Sequence, residues 1–122
     1  MKKGFTLVEL LAAIVVLSII ISIVITTVSN IMDTSKKKAA EATAYAIIRT
    51  SALYSLDNNY FGTMDVLDPR LEYDGQKPDA GSVQTNEDSE TKIAILLNGW
   101  CVTKDYGSDE VTSIKTETCN MP

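Results

Sequence analysis

Glu9 stands at the edge of a run, Leu10 to Met32, in which no residue is charged. A carboxylate that enters apolar surroundings must find a cation, accept hydrogen bonds or take up a proton. Its chemistry is therefore that of one half of a buried ion pair, or of a group that snorkels to a membrane surface. Other residues able to do chemistry are few. The chain has no histidine, so the commonest general base and metal ligand is missing, and its serines and threonines have no ordinary activating base. No glycine-rich phosphate loop occurs. Cys101 and Cys119 are the only cysteines; without histidine they supply too few ligands for zinc. If they lie outside the cytosol, a disulfide is the economical reading, closing a short loop for about 3 kcal/mol. Two buried free thiols are the alternative.

Two acidic stretches invite a metal reading. Asp57-x-Asn59-x-Phe61-Gly62-x-x-Asp65-x-x-Asp68 partly mimics a calcium loop, but Phe61 stands where an oxygen ligand is wanted and Asp68 where a glutamate is wanted. A turn explains it better. Asp105-Tyr106-Gly107-Ser108-Asp109-Glu110 is most simply a solvated turn between strands. Tyr60, Phe61, Tyr73 and Tyr106 could line an adhesive patch, although aromatic residues in a small domain more often belong to its core. No catalytic constellation and no bound metal are expected.

The elements that must position Glu9 and the cysteines follow from patterning. Leu10 to Met32 is 23 uncharged residues, about 35 Å as a helix against a hydrocarbon core of ~30 Å. Many are β-branched, which weakens a helix in water. In lipid the backbone must satisfy its own hydrogen bonds and a helix is forced; no Pro or Gly interrupts the run. A secretory signal peptide shares the basic start and apolar core, but the run is long for one and no clean small-x-small site follows. Lys2 and Lys3 precede the run and Lys36, Lys37 and Lys38 follow it, so charge bias alone leaves the orientation open.

The 122 residues suffice for one domain. After residue 50 there are 13 Asp/Glu and 5 Lys/Arg, a balance of 5 − 13 = −8. So acidic a segment repels phosphate backbones and argues against direct nucleic-acid binding, though not against a basic partner. From Asp33 to Leu56 there is no Gly or Pro, and Tyr45, Ile48, Ala52 and Leu56 recur at helical spacing, flanked by Ile47 and Leu53. That stripe is expected to pack on the C-terminal segment, with Lys37, Lys38, Glu41, Arg49 and Ser55 on the polar side. Asp57-Asn58-Asn59 is the expected stop. Lys36–Lys38 reads most simply as a solvated or headgroup-level band. Residues 58–90 look like loops, with short strands near Arg70–Tyr73 and Ser82–Thr85. Thr91–Leu97 alternates as a strand, and Asn98-Gly99 signals a two-residue hairpin that sets Leu97 opposite Trp100 and Ile95 opposite Val102. A last strand at about Glu110–Thr118 would bring Cys119 back towards Cys101. The fold class expected is α+β: a long N-terminal helix, half transmembrane and half amphipathic, on an antiparallel sheet of three or four strands.

Lys3-Gly4-Phe5-Thr6-Leu7-Val8-Glu9-Leu10 resembles the class III signal of type IV pilins and pseudopilins: a short basic leader ending in Gly, then Phe-Thr-Leu-Val-Glu, then about twenty apolar residues. The resemblance covers roughly the first 30 residues. It implies that a prepilin peptidase cuts between Gly4 and Phe5 and methylates the new amino group of Phe5. It further implies that Glu9 meets the N-terminal amine of a neighbouring subunit. The chain is then divided into a leader (1–4), a membrane and filament-core helix (5–32), its amphipathic continuation (33–57) and a β-rich head (58–122). Implied partners are the lipid bilayer, homologous pilin subunits, a membrane platform protein and an assembly motor. The implied location is the cytoplasmic membrane with the head outside, then an extracellular or periplasmic filament. A C-terminal disulfide commonly pins the last loop in this family, and some pseudopilins hold calcium in a head loop, which makes Asp105–Glu110 the better candidate of the two acidic stretches. Many pilins carry a helix-breaking Pro midway along the apolar stretch; the region around Thr26 has none. Within the superfamily a pseudopilin of a secretion or competence apparatus is the nearest alternative to a pilus subunit; outside it, a single-pass membrane-anchored binding module.

Overall fold

A computed structural model describes Gly4 and residues 6–122. Helix α1 spans Leu7–Asn58. The chain forms two compact units, residues 1–34 and 35–122.

In the first unit the helix starts at a capped end. The Thr6 carbonyl accepts from the Leu10 amide (3.1 Å) and its hydroxyl accepts from the Glu9 amide (3.2 Å), the bonds of an N-cap residue. The apolar run then stays helical despite its β-branched content. Its hydroxyls bond back to carbonyls one turn earlier: Ser18 to Ile14 (2.8 Å), Ser22 to Ser18 (2.9 Å), Thr27 to Ile23 (3.2 Å) and Ser29 to Ile25 (3.0 Å). Each of these hydroxyls is thus satisfied within the helix, as a hydrocarbon environment demands.

The second unit packs the C-terminal half of α1 on a five-stranded antiparallel meander, order β1-β2-β3-β4-β5. The strands are β1 (Gly62–Asp65), β2 (Ala80–Thr85), β3 (Thr91–Leu97), β4 (Trp100–Lys104) and β5 (Thr112–Lys115). The α+β class holds, with five strands rather than three or four. The extra strand is β1, in a stretch that reads as loop: only Met64 of its four residues is buried, too few to produce an alternating pattern. No strand forms at Arg70–Tyr73: Arg70 closes a turn with Pro69, and residues 71–73 are irregular. The Asp68 carboxylate accepts from the Arg70 amide (2.9 Å) and its carbonyl from the Leu71 amide (3.0 Å), and Pro69 has no amide to give a ladder. The β3–β4 hairpin has the expected register, Leu97 opposite Trp100 and Ile95 opposite Val102, and both turn residues take positive φ (Asn98 55°, Gly99 80°). The helix stops at the expected asparagines, with Asn59 left-handed at φ 52°.

The helix face on the sheet differs from the expected one. Its buried residues are Ala40, Thr43, Ala44, Ile47, Ser51 and Ser55. Leu53 and Leu56 are 56% and 63% exposed and Tyr45 is 40% exposed. At 100° per residue the buried stripe lies about a third of a turn away from the Tyr45–Ile48–Ala52–Leu56 stripe, and Ser55, placed on the polar side by sequence, is buried. The sheet supplies the reason. Val83, Ile93, Ile95, Leu97 and Val102 fill the contact layer, so the helix needs small side chains to come close without overfilling it. Ser51 enters this layer because its hydroxyl donates to the Ile48 carbonyl (3.0 Å). Within the sheet, Gly81 (φ 147°) lets β2 approach β3; a Cβ there would strike the Ala94 carbonyl oxygen and stand 2.8 Å from the Ile95 Cα.

Ser51→Leu is therefore expected to lower stability by about 1–3 kcal/mol through overpacking, whereas Leu53→Ala stays within ~0.5 kcal/mol. Denaturant unfolding of the detergent-solubilised chain, followed by Trp100 fluorescence, checks the ranking; a greater loss from Leu53→Ala would contradict this packing.

Candidate functional site

Glu9 lies in the first turn of α1 and is exposed. A carboxylate is favoured there by the unpaired amides and positive end of the helix dipole. Thr6-x-x-Glu9 also has the spacing of a capping box. Thr6 is the site residue that the sequence reading leaves without a role, although that spacing is its signal; the structure brings the Glu9 amide onto its hydroxyl. Among the described residues the Glu9 carboxylate has no ion-pair or hydrogen-bond partner. Around it every large apolar side chain from Leu7 to Met32 is exposed, between 43% (Val28) and 74% (Leu7). The unit thus presents apolar surface all round, with one carboxylate at its start. A helix apolar on every side belongs in lipid or in the interior of an assembly, and α1 is long and apolar enough to cross a bilayer.

Gly4 is exposed as well, and nothing lies within 4 Å of where a Cβ would stand. Local packing therefore gives no reason for glycine at this position. Phe5, with Lys2 and Lys3, lies outside the described residues, so the geometry of the expected cleavage and methylation point is not part of the structure.

Residues 1–25 match the family model described as the prokaryotic N-terminal methylation motif. This is the prepilin-type signal of type IV pilins and pseudopilins. The match takes in Gly4, Phe5 and Glu9 together with most of the apolar run. The prepilin-type signal supports a type IV pilin-like or pseudopilin protein, and such a signal implies processing by prepilin peptidase and pilin assembly. With the long apolar helix behind it, the signal fits membrane anchoring. No curated protein and no solved structure matches the chain.

In the head the structure joins Cys101 to Cys119, with Cα atoms 5.2 Å apart. The link ties the start of β4 to the segment beyond β5. In that segment the Thr116 amide also donates to the Gly99 carbonyl (3.1 Å). Cys101 pairs across to Ile114 while its neighbour Val102 faces the core, so the disulfide occupies the sheet face away from α1, as the hairpin register predicts.

The acidic stretches are occupied by turn chemistry. Asp65 Oδ1 accepts from the Leu67 amide (2.8 Å), and Asp105 Oδ1 accepts from the Tyr106 amide (2.7 Å) and lies 3.5 Å from Lys92 Nζ. Asp68 is clasped by Arg70, with Nη2 donating to Oδ2 at 2.8 Å. No group of three or more candidate metal ligands converges among the described residues. The Arg70 side-chain hydrogen bond, followed by its backbone amide, holds the Asp68 carboxyl down to about 2, below the ordinary 3.8; the same bond raises the Arg70 guanidinium. Burial, with the Asp65 charge as a lesser cause, pushes the Tyr73 phenol up; its hydroxyl donates to the Val66 carbonyl (2.9 Å). Of the four tyrosine and phenylalanine residues suspected of forming a patch, Tyr60 and Tyr73 pack against the core, Tyr106 lies under the Lys92 ammonium at 4.8 Å, and only Phe61 is left at the edge of exposure.

Two outcomes follow for the head. Reduction of Cys101–Cys119, which closes a sequence separation of 18, is expected to lower stability by about 3 kcal/mol, read as a shift in the denaturation midpoint with and without reductant. The Asp68–Arg70 clasp stabilises the fold above the ordinary carboxyl value, and this contribution is lost as pH falls from about 3.8 through about 2. A carboxyl NMR titration should place Asp68 near 2 in the native chain and higher in Arg70→Gln, whose residue-70 amide still donates to Oδ1; equal midpoints would contradict the clasp.

Proposed function

We propose that this chain is a structural subunit of a type IV pilus-like filament. Prepilin peptidase cuts it between Gly4 and Phe5 and methylates the Phe5 amine. Residues 5–32 then hold it in the cytoplasmic membrane with the head outside, until a platform protein and motor draw it into a polymer of homologous subunits. Loss of Lys2 and Lys3 changes the side-chain charge from −5 to −5 − 2 = −7. The observation that carries the reading is the juxtaposition, within the matched motif, of a lone carboxylate in the first helical turn and an apolar run exposed on all sides. In a polymer the run buries itself against other copies. Glu9, carried into that interior, needs a cation, and cleavage creates one in the ammonium of Phe5.

Breaking one side of a buried ion pair typically costs about 3–5 kcal/mol, because the remaining charge is stranded. The Glu9–amine pair therefore acts mainly on register: a subunit docked one step out of place leaves both groups unpaired. Gly4, for which the fold itself has no need, is accounted for as a peptidase requirement.

N-terminal sequencing of the membrane-derived protein is expected to begin at methylated Phe5; an intact Met1, or cleavage near Asn30, would overturn the proposal. Glu9→Ala should insert into the membrane at normal levels but give little filament. Undiminished filament from that variant would remove Glu9 from assembly. A pseudopilin shares the same signal, and the abundance of purified surface filaments separates it from a major pilin.

A further inference from the structure

We propose that the first turn of the head's helix, Lys36–Lys38 braced by Trp100, is a docking surface for anionic phospholipid headgroups that holds the head against the bilayer before assembly. The inference rests on the membrane-anchored stage proposed above.

Lys36 comes four residues after Met32, the last residue of the uncharged run, and α1 continues across this point without interruption. Four residues span at most about 14 Å of chain, so Lys36 is within reach of the headgroup layer. Three consecutive residues at 100° steps fan round more than half of the helix, so the ammonium groups spread sideways rather than sharing one partner. Lys36 and Lys38 are exposed and Lys37 is half-buried. Lysines on the outer side of a span oppose the usual charge bias of membrane proteins, so topology does not account for them.

The β3–β4 hairpin comes down on this turn. The Lys37 ammonium lies 5.6 Å from the centre of the Trp100 ring, a cation–π distance, and Trp100 pairs across the sheet with Lys115. The Trp100 Nε1 atom is buried and has no hydrogen-bond partner among the described residues. The indole therefore contributes a ring face against Lys37 and not a donor. It pins the hairpin, and with it the head, beside the lysines.

The charge of the second unit and its approach is sorted accordingly. Asp79, whose amide donates to the Leu96 carbonyl, and Lys77, next to the Gln76 side chain that bonds to Asn98, belong to the hairpin end as well. Lys36, Lys37, Lys38, Lys77 and Lys115, set against Asp33, Glu41, Asp79 and Glu117, give 5 − 4 = +1; the remaining charged residues from Asp33 onwards give 4 − 11 = −7. An anionic membrane surface attracts this end and repels the rest, over about a Debye length. Lipid is favoured over an acidic neighbouring copy because the covalent link to the apolar run already holds the lysines at the bilayer edge.

Trp100 is the only tryptophan and serves as the probe. The full chain is reconstituted in vesicles of phosphatidylcholine, alone or mixed with phosphatidylglycerol, each carrying a headgroup spin-label quencher. Trp100 quenching should be stronger in the anionic vesicles and fall back at high salt. Lys36→Gln with Lys38→Gln, which spares the Lys37–Trp100 contact, should weaken the head–surface equilibrium by roughly fivefold per lysine. Equal quenching in both lipids, or an unaffected double variant, would overturn the proposal. So would a double variant that loses only copy-to-copy crosslinking, which would assign the lysines to a neighbouring subunit. Failure of the chain to float with either vesicle would instead strike at the membrane-anchored stage itself.

Discussion

Between Leu7 and Met32 every polar group has to be satisfied inside one helix, and the rest of the chain is arranged around that constraint. The backbone does so by being helical. The hydroxyls of Ser18, Ser22, Thr27 and Ser29 do so by bonding back one turn, and one of the open N-terminal amides, that of Glu9, by the Thr6 hydroxyl. The Glu9 carboxylate is a charge for which the helix supplies no partner among the described residues. Its charge is tolerable at a helix start near water or headgroups and becomes costly once surrounded by apolar side chains. A segment built this way suits a bilayer yet is incomplete in an apolar assembly, which is the property that the proposed storage and polymerisation require.

The head solves a different problem with the other half of the same helix. In water it must bury a helix face against a sheet, and it does so by giving the sheet the bulk and the helix the small residues. Ala40, Ala44 and Ser51 leave room for Ile93, Ile95, Leu97 and Val102. Such a small sheet has little margin, and local devices hold its outer parts: the Cys101–Cys119 link behind β4 and β5, the Asp68–Arg70 clasp in the turn after β1, and Gly81 where β2 meets β3. The Glu41 carboxylate, on the helix, accepts from the Ser113 hydroxyl (2.6 Å) and attaches the edge strand β5 to it.

Some features were legible because one physical cause acts locally. The apolar run, the stop at Asn58 and Asn59 and the Asn98-Gly99 hairpin each follow from the residues present, and the hairpin register carried Cys101 to the face where it meets Cys119. Others were not. β1 exposes most of its side chains, so its identity depends on pairing Gly62–Asp65 with Ser82–Thr85 rather than on its own pattern. Arg70–Tyr73 has strand-like residues, but the carboxylate of Asp68 captures the backbone first. The buried stripe of the helix is not legible in its large apolar residues, because small residues face the sheet and Leu53 and Leu56 face out.

By itself the sequence determined the membrane-length helix, the processing signal in residues 1–25 and the lone carboxylate within it, because these depend on composition and order along the chain. Only the tertiary structure decided which helix face is buried, how many strands the sheet has, and that Trp100 lies on Lys37. Those depend on which volumes and backbone edges meet across long sequence separations, and local patterning carries no record of the partner's shape.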